Sequence, residues 1–264
     1  MADAGELIAV TCGERVLRFR PCGGRIEATL RANQFYEQGM LDYIAALGLR
    51  GVYVDGGSYI GTHAIYFATF CPADRVVAFE PRTNCLEHLR HNIEVNGLGD
   101  RITVHPFGLS DRDETVTVRL DRRDVSFECH RLDALVSDPV AVMKLDVEGM
   151  ETKVLAGAAG VLERSRPLLF VEAHDEASLA ALLAPLAPYG YAPTGRVFNH
   201  TATYELASPA SPVAPPERLP STRSILHAAW WLPLEPEISA TIAGGRLRIE
   251  SRMPPEQHAH VTAA

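Results

Sequence analysis

The sequence lacks an excess of basic residues: 25 lysine and arginine side chains stand against 33 aspartate and glutamate side chains, which gives a formal charge of −8. Proteins that bind a nucleic-acid backbone release counterions with clustered positive charge. The segments "DRRD" (121–124) and "SRPL" (165–168) are mixed in sign and too small to form such a cluster. We therefore expect no nucleic-acid partner.

Long hydrophobic runs are also missing. No apolar stretch approaches the roughly 20 residues that a helix needs to cross a bilayer. The first ten residues, "MADAGELIAV", contain no basic segment followed by an apolar core, so we expect no secretory signal. These features predict a cytoplasmic protein without a membrane partner.

Cysteine pairs and metal-binding cysteine motifs are absent. The five cysteines are Cys12, Cys22, Cys71, Cys85 and Cys129. Their number is odd, and they form neither a CxxC motif nor a cysteine–histidine spacing typical of zinc. We expect reduced thiols and predict no metal site from them.

What the sequence does contain is a regular alternation of apolar runs and helical patterns. Strands are predicted at 51–55, 75–80, 102–106, 140–147 and 167–173. Helices are predicted at 33–48, 61–70, 83–97, 150–165 and 176–186. Apolar strands that alternate with helices indicate a parallel sheet covered on both faces. Right-handed crossovers then build an open, doubly wound α/β fold.

The segments outside this alternation are less regular. We interpret the first 30 residues as short strands, including "LIAV" and "RVLRFR", followed by a turn at "PCGG". Residues 115–120 are typical of a strand whose place in the order is open. Residues 196–206 predict a terminal antiparallel pair joined at "NHT". Together with the alternation, these segments define a predicted domain at 1–206.

The C-terminal part has a different composition. Residues 207–220 are proline-rich and predict an extended linker. Residues 221–264 predict a small β-rich extension with a hairpin that turns at Gly244–Gly245. Its apolar segment "AAWWLPL" should not remain in water. We expect this extension to pack on the main domain or on a second subunit, as in a homodimer.

Acidic residues end several of the predicted strands: Asp55, Glu80, Asp146 and Glu172. In an open parallel sheet, ligands bind beyond the carboxyl ends of the strands. A single acid such as Asp55 is also compatible with a helix cap before Gly61. Four acids at one edge of a sheet would repel one another unless they were far apart or had a function there. Their presence therefore favours a functional site.

A glycine-rich turn, Asp55-Gly56-Gly57-Ser58-Tyr59-Ile60-Gly61, follows the first of these strands. It does not match the GxGxxG pattern of dinucleotide-binding proteins. Either the strand and helix pack closely here, or a ligand lies against the bare backbone. Glu80 ends the next strand and offers two acceptor oxygens to a ribose, although it is also compatible with a helix cap. The glycine-rich turn together with Glu80 indicates an adenosine-bearing ligand.

Two further segments carry candidate catalytic groups. In "MKLDVEGMETKVLAG" (143–157), Asp146 ends a buried strand and Glu148 follows two residues later. Glu148 and Glu151 also suit the first turn of a helix, where acids interact favourably with the helix dipole. The adjacent strand end, "FVEAHD", places His174 near the same rim.

These segments together resemble one family. The ordered motifs "VYVDGGSYIGTHAIYFA", "VVAFEPRTNCLEHLRHNIEVNGL", "GLSDRDE", "KLDVEGMETKVLAG" and "LLFVEAH" are similar to those of FkbM-type methyltransferases, over roughly residues 33–206. Many relatives read "DVGAN-G" where this chain has "DGGSYIG", and the chain beyond 207 matches no part of the family pattern. The resemblance implies a Rossmann-like sheet of the class I methyltransferase type and S-adenosylmethionine as cofactor.

The resemblance also implies which residues bind the cofactor. The glycine-rich turn would approach its methionine part and ribose, Glu80 would hold the ribose, and the segment from Gly108 to Asp111 would lie by the adenine. The full implied set is Glu37, Asp55, Gly56, Gly57, Ser58, Gly61, Thr62, Glu80, Pro81, Gly108 and Asp146.

The family mostly methylates hydroxyl groups, so the resemblance implies O-methylation of a hydroxylated small molecule such as a natural product or sugar. An alcohol is a poor nucleophile near neutral pH and needs a base, for which Asp146, Glu148 and His174 are the candidates. A divalent metal held by Asp146, Glu172 and His174 is a less favoured alternative.

Other functions remain open at this point. N-methylation, or methylation of a peptide or sugar, would use the same cofactor site. A third possibility, from another class, is a non-catalytic adenosine-binding protein or a nicotinamide-dependent enzyme.

Overall fold

The computed structural model describes residues 6–120, 123–213, 238–243 and 246–251. The strands are β1 (Ile8–Cys12), β2 (Arg15–Phe19), β3 (Gly51–Gly56), β4 (Ala73–Phe79), β5 (Ile102–His105), β6 (Gly108–Leu109), β7 (Glu114–Leu120), β8 (Arg123–His130), β9 (Val140–Leu145), β10 (Leu168–Glu172), β11 (Ala192–Phe198), β12 (Thr203–Ala207), β13 (Ile238–Ala243) and β14 (Arg246–Ser251). The helices are α1 (Gly24–Arg31), α2 (Gln38–Ala46), α3 (Thr62–Phe70), α4 (Thr83–Val95), α5 (Glu151–Ala156), α6 (Ala159–Ser165) and α7 (Glu176–Leu186). The chain divides into two units, Met1–Leu219 and Pro220–Ala264.

A seven-stranded sheet in the order β11-β12-β10-β9-β3-β4-β5 organises the first unit. The five strands from β10 to β5 are parallel to their neighbours, whereas β12 is antiparallel to both β10 and β11. From β3 the chain runs outward through β4 and β5, and then returns to place β9 and β10 on the other side of β3. This reversal puts the switch point between β3 and β9, where open α/β sheets bind ligands. The predicted doubly wound, mostly parallel α/β fold is confirmed.

Apolar side chains cover both faces of this sheet. One core contains Leu41, Ile65 and Leu89 from α2, α3 and α4. The other contains Val154 from α5 and Leu182 from α7. Because both faces are covered, β9 is buried along its whole length, which explains its apolar sequence.

The predicted helix 150–165 is wrong as a single element, because it divides into α5 and α6. A Cβ atom on Gly157, between the two helices, would lie 2.0 Å from the backbone oxygen of Ser110. The Asp133 carboxylate accepts hydrogen bonds from the N–H groups of Gly160 and Val161 at 2.9 and 2.8 Å. A capped N-terminus therefore begins α6 where the sequence pattern suggests continuation.

The N-terminal region also differs from its prediction. Strands β1 and β2 are confirmed and pair antiparallel, but α1 was not predicted. The Glu27 carboxylate holds the start of α1 by accepting the N–H groups of Cys22 and Gly23 at 2.9 and 2.6 Å. The predicted helix 33–48 begins only at Gln38, because Glu37 before it has a left-handed φ of 61°.

A separate three-stranded sheet, β6-β8-β7, explains the strand whose place was open. Residues 114–120 form β7, and β8, which was not predicted, pairs antiparallel with it. Strand β6 runs parallel to the other side of β8. This small sheet lies outside the central sheet order and contributes Val118 and Phe127 to a cavity described below.

The end of the first unit combines confirmed and untested predictions. The antiparallel pair predicted at 196–206 is confirmed as β11 and β12. Beyond β12, Ser208 and Ser211 are buried, and the Ser208 N–H donates to Ser211 Oγ at 2.9 Å. The predicted boundaries of the domain (1–206), linker (207–220) and extension (221–264) stay a prediction.

In the second unit, β13 and β14 form the predicted antiparallel hairpin, in which Ala243 pairs with Arg246. The turn at Gly244–Gly245 and the segment "AAWWLPL" lie outside the described residues. Across the described ranges of both units, no helix has the length and apolar character needed to cross a bilayer.

The contact of Asp133 with the start of α6 can be tested by substitution. We expect Asp133→Ala to lower the free energy of unfolding by about 1–2 kcal/mol, because two N–H groups at a helix N-terminus lose their acceptor. Urea unfolding measures the change, with Asp138→Ala, which removes an exposed ion pair with Arg75, as the control. Equal effects of the two substitutions would contradict the capping role.

Candidate active site

A cavity of about 420 Å³ opens at the carboxyl edge of the sheet, on the switch-point side of β3 and β4. Apolar groups, including Phe79, Leu109 and Phe127, form part of its wall. Among the predicted site residues, those that line the cavity are Gly57, Glu80, Pro81, Gly108, Asp146 and Glu148. The structure therefore brings the ends of β3, β4 and β9 together around one space.

The other predicted residues are not among those that line this cavity: Glu37, Asp55, Gly56, Ser58, Gly61, Thr62 and His174. Several of them build the turn behind the wall. Ser58 Oγ donates to the backbone oxygen of Asp55 at 2.8 Å, and Gly61 is the N-cap of α3 with a φ of 87°. Thr62 follows it as the buried first residue of α3.

Close packing requires the glycines of this turn. A Cβ atom on Gly57 would lie 1.8 Å from the backbone oxygen of Asp146, and its φ of 78° is left-handed. A Cβ atom on Gly56 would lie 2.8 Å from Leu145, and one on Gly61 would lie 2.4 Å from Leu89. The steric explanation of the glycines therefore holds, and at Gly57 the same backbone also faces the cavity.

Asp55 does not cap a helix. It is fully buried, and the Lys144 ammonium lies 3.4 Å from its Oδ1 atom. Within the described ranges, neither carboxylate oxygen of Asp55 accepts a hydrogen bond. Lys144 also donates to the Gly57 backbone oxygen at 3.1 Å and lies 3.8 Å from Asp146 Oδ2. A buried lysine thus connects the ends of β3 and β9.

Glu37 and His63 form a second buried pair next to this lysine, with 3.4 Å between Glu37 Oε2 and His63 Nε2. Burial raises the pKa of Glu37 to about 7, against the opposing effect of Lys144. Burial and the charge of Lys144 lower the pKa of His63 to about 4. His63 is therefore neutral at physiological pH, and Glu37 changes its charge near neutrality.

Glu80 lies at the end of β4, where it was predicted, and its carboxylate is held from two sides. Oε2 accepts the Tyr59 N–H at 2.8 Å, whereas Oε1 accepts the Arg82 N–H at 2.9 Å and Arg82 Nε at 3.0 Å. A carboxylate oxygen has the capacity to accept more than one hydrogen bond. Glu80 therefore fixes the glycine-rich turn and keeps acceptor capacity at the cavity wall.

The loop after β9 has an unusual backbone. Glu148 and Gly149 both have left-handed φ values, 57° and 91°. Glu151 holds this loop, because its Oε1 atom accepts the N–H groups of Val147 and Gly149 at 2.9 and 3.3 Å. Desolvation at the cavity wall and the charge of Asp146 raise the pKa of the Glu148 carboxyl. Glu151 thus stabilises the conformation of this loop. Glu148 lies at the cavity in a backbone conformation that non-glycine residues seldom adopt.

Asp146 and Glu172 meet at the neighbouring ends of β9 and β10. Burial, the charge of Asp146 and a hydrogen bond to Asp146 raise the pKa of Glu172 to about 8. The Asp146 side chain is 35% exposed and the Glu172 side chain 11% exposed. At neutral pH this carboxyl pair therefore retains a proton at the carboxyl edge of the sheet.

His174 extends this cluster outward. Its Nε2 atom is 3.9 Å from Glu172 Oε2, and its side chain is 59% exposed. The rim shared by Asp146, Glu172 and His174 is present, but no group of three metal-binding side chains occurs among the described residues. The geometry gives the metal alternative no support from these residues.

Three contributors to the site were missed by sequence reasoning. Lys144 had a visible signal, since it interrupts the apolar run "VAVMKLDV" of a buried strand. His63 had none beyond its place at the start of a helix, and Phe127 belongs to the strand β8 that was not predicted. All three depend on contacts between segments distant in sequence.

Gly57 provides a stability test of the turn. We expect Gly57→Ala to lower the free energy of unfolding by more than about 2 kcal/mol, because the new Cβ atom meets a backbone oxygen and the backbone is left-handed. Gly39→Ala in α2, where no atom lies within 4 Å of the added Cβ, is the matched control and should not destabilise. A Gly57→Ala protein as stable as the control would refute the packing role.

The raised pKa of Glu172 predicts that the stability of the protein depends on pH. Between its ordinary pKa of 4.5 in the unfolded chain and about 8 in the folded protein, the folded state retains a proton that the unfolded state has lost. Relative to Glu172→Gln, the free energy of unfolding should therefore fall as pH rises through this window. Urea unfolding at several pH values measures the trend, with Glu163→Gln, which changes an exposed carboxyl, as the control. A pH-independent difference between the wild type and Glu172→Gln would contradict the assignment.

Several known structures are similar to this chain. The FkbM methyltransferase from Methylobacillus flagellatus KT superimposes with a TM-score of 0.50 at 23% sequence identity, over 60% of this chain and 44% of that one. The chain thus spans less than half the length of that protein. A precorrin-6y C5,15-methyltransferase from Geobacter metallireducens GS-15 has a TM-score of 0.44 at 16% identity, with coverages of 64% and 87%. An rRNA methylase from Streptococcus thermophilus has a TM-score of 0.45 at 13% identity, with coverages of 64% and 92%.

No protein with a curated description matches the chain in sequence. The model of the methyltransferase FkbM domain matches residues 55–192, from the acid that ends β3 to the start of β11. This match covers 138 of the 264 residues and includes the glycine-rich turn, Glu80 and the carboxyl cluster. The chain therefore belongs to the FkbM methyltransferase family, and its cofactor is S-adenosylmethionine.

Proposed function

We propose that the protein transfers a methyl group from S-adenosylmethionine to a hydroxyl group of a small molecule, such as a natural product or a sugar. The observation that carries this proposal is the position of Asp146. Its carboxylate lines the cavity, is partly exposed, and lies between the buried Lys144 and the proton-bearing Glu172. A hydroxyl group placed there meets an acceptor for its proton at the edge of the cofactor cavity.

The cavity suits the cofactor in size and in chemistry. Its volume of about 420 Å³ is within the usual range of about 300–1,000 Å³ for small-molecule sites. Phe79, Leu109 and Phe127 offer an apolar wall for the adenine, and Glu80 keeps acceptor capacity for the ribose hydroxyls. We propose that the predicted residues Gly57, Pro81 and Gly108 contact the cofactor directly, because they line the same space. Glu37, Asp55, Gly56, Ser58, Gly61 and Thr62 would support that wall from behind.

When bound, S-adenosylmethionine supplies an electrophilic methyl group on a positively charged sulfur. The protein's part is to orient the acceptor and to take its proton. We propose that Asp146 accepts the hydrogen bond of the acceptor hydroxyl and then its proton. Glu172 would remain hydrogen-bonded to Asp146 throughout, and Glu148 would hold the acceptor from the loop after β9.

Asp146 is favoured over His174 as the proton acceptor. His174 is mostly exposed and does not line the cavity. It contacts Glu172, and Glu172 in turn contacts Asp146. We infer that His174 does not touch the acceptor.

Because the chain belongs to the FkbM methyltransferase family, the open questions concern the acceptor. We propose no nucleic-acid acceptor, because the net charge is −8 and the rim around Asp146 is acidic. A cytoplasmic location and a contact between two subunits through residues 221–264 remain parts of this proposal. N-methylation of an amine is the competing activity, and a panel of paired hydroxyl and amine acceptors distinguishes the two.

Asp146 provides the test of the chemical step. We expect Asp146→Asn to lower the single-turnover rate at saturating cofactor by about a hundredfold or more, because the amide keeps the volume but cannot take a proton. Asp138→Asn, an exposed aspartate, should react at the wild-type rate, and His174→Ala should lose less than about tenfold.

Two outcomes would contradict this proposal. The rates are measured with labelled cofactor and the best hydroxyl acceptor of the panel. A wild-type rate for Asp146→Asn would place the base elsewhere. Transfer to amines alone would overturn the proposed O-methylation.

A further inference from the structure

The chain uses lysine at only two positions, Lys144 and Lys153, although it contains 25 lysine and arginine residues. Lys153 is a surface residue paired with Glu114 at 3.0 Å. Lys144 is 3% exposed and lies in the middle of the parallel sheet. Burying an ammonium group costs several kcal/mol unless it is paired and hydrogen-bonded, so this lysine must be held by specific partners.

Those partners come from two strands. The ammonium group donates to the backbone oxygens of Gly57 at 3.1 Å and Gly56 at 3.5 Å. It also lies 3.4 Å from Asp55 Oδ1 and 3.8 Å from Asp146 Oδ2. Burial by itself lowers the pKa of Lys144, but Asp55, Asp146 and Glu37 outweigh it and raise the pKa overall. The side chain therefore stays charged.

The register of the sheet explains why a lysine fits this position. Asp55 on β3 stands opposite Lys144 on β9. An ammonium group is a compact charge with three donors, whereas a guanidinium is a planar fork suited to bidentate pairs. The contacts of Lys144 go to two backbone oxygens and two separate carboxylates, which suits a compact ammonium group better than a planar fork.

Lys144 does not line the cavity, but two of its partners do. Gly57 belongs to the cofactor side of the cavity wall, and Asp146 lies where the acceptor is proposed to bind. The same ammonium group is therefore in contact with both sides. Loss of that group would free the Gly57 carbonyl and the Asp146 carboxylate to move relative to each other.

We propose that Lys144 is a positioning residue for methyl transfer, which fixes the spacing between the cofactor turn at Gly57 and the acceptor-facing carboxylate of Asp146. This inference rests on the proposed function in taking Asp146 as the group that faces the acceptor. A second part of the inference does not depend on that proposal. It is that cofactor binding at Gly57 changes the environment of Lys144.

The first experiment uses wild-type protein with lysine labelled at Cε and Nζ. Two lysine side-chain NMR signals are expected, and the variant Lys153→Arg assigns them. Saturating S-adenosylhomocysteine should shift the Lys144 signal and leave the Lys153 signal unchanged. A Lys144 signal that does not move would overturn the inference, and this readout needs no acceptor and no variant at position 144.

The second experiment measures the chemical step in Lys144→Met, with Lys153→Met as the matched control. Misplacement of reacting groups by about 1 Å costs on the order of a hundredfold in rate, so we expect such a loss in single-turnover rate at saturating cofactor. Lys153→Met should stay within about twofold of the wild type, because exposed ion pairs contribute little. Lys144→Arg should recover only a small part of the loss, since it restores charge without the compact geometry.

These experiments separate the two proposals. A folded Lys144→Met protein that reacts at the wild-type rate would overturn the positioning role while leaving O-methylation intact. Transfer to amines alone would overturn O-methylation, while a cofactor-dependent shift of the Lys144 signal would still support its coupling to Gly57. If Lys144→Met does not fold, the NMR experiment on the wild type decides the inference.

Discussion

The close approach of β3 and β9 at their carboxyl ends is the constraint on which the site depends. The Asp146 N–H donates to the Gly56 backbone oxygen at 3.1 Å, which continues the pairing of the two strands past β9. The next residue of the turn, Gly57, has no room for a side chain against the Asp146 carbonyl. Any residue larger than glycine would push the two strand ends apart. The distance between Asp55 and Lys144, and the shape of the cavity wall, follow from this contact.

Burial acts in opposite directions on the charged groups around this contact. For Glu37 burial dominates and raises the pKa to about 7, because the nearby cation only partly compensates for the loss of water. For Lys144 the surrounding carboxylates dominate, and the ammonium stays charged despite complete burial. For His63, burial and the charge of Lys144 outweigh the opposing effects of Asp55 and Asp146, and the pKa falls to about 4. The cluster thus combines one permanent cation with carboxyl groups that change charge near neutral pH, which is an environment suited to proton transfer.

Most of the fold could be predicted from the sequence because buried parallel strands have a strong local signal. The apolar runs at β3, β4, β9 and β10 indicate buried parallel strands without knowledge of any contact. The break between α5 and α6 could not be predicted, because it depends on Asp133 and Ser110, which lie more than 20 residues away. Strand β8 was missed because its charged residues conceal its β-prone pattern. Within the site, strand-end acids were predicted, whereas Lys144 was missed because its role depends on contacts with Asp55 and Gly57, which are distant in sequence.

The question of why the turn after β3 contains glycines has one physical answer with two consequences. A bare backbone at Gly57 is needed because the Asp146 carbonyl occupies the direction of a Cβ atom. That same approach brings the Gly57 carbonyl within 3.1 Å of the Lys144 ammonium and leaves the outer side of the turn facing the cavity. Packing and ligand binding are therefore not competing explanations. A larger residue would separate the strand ends, and the cavity wall would lose its shape together with the contact that links it to Asp146.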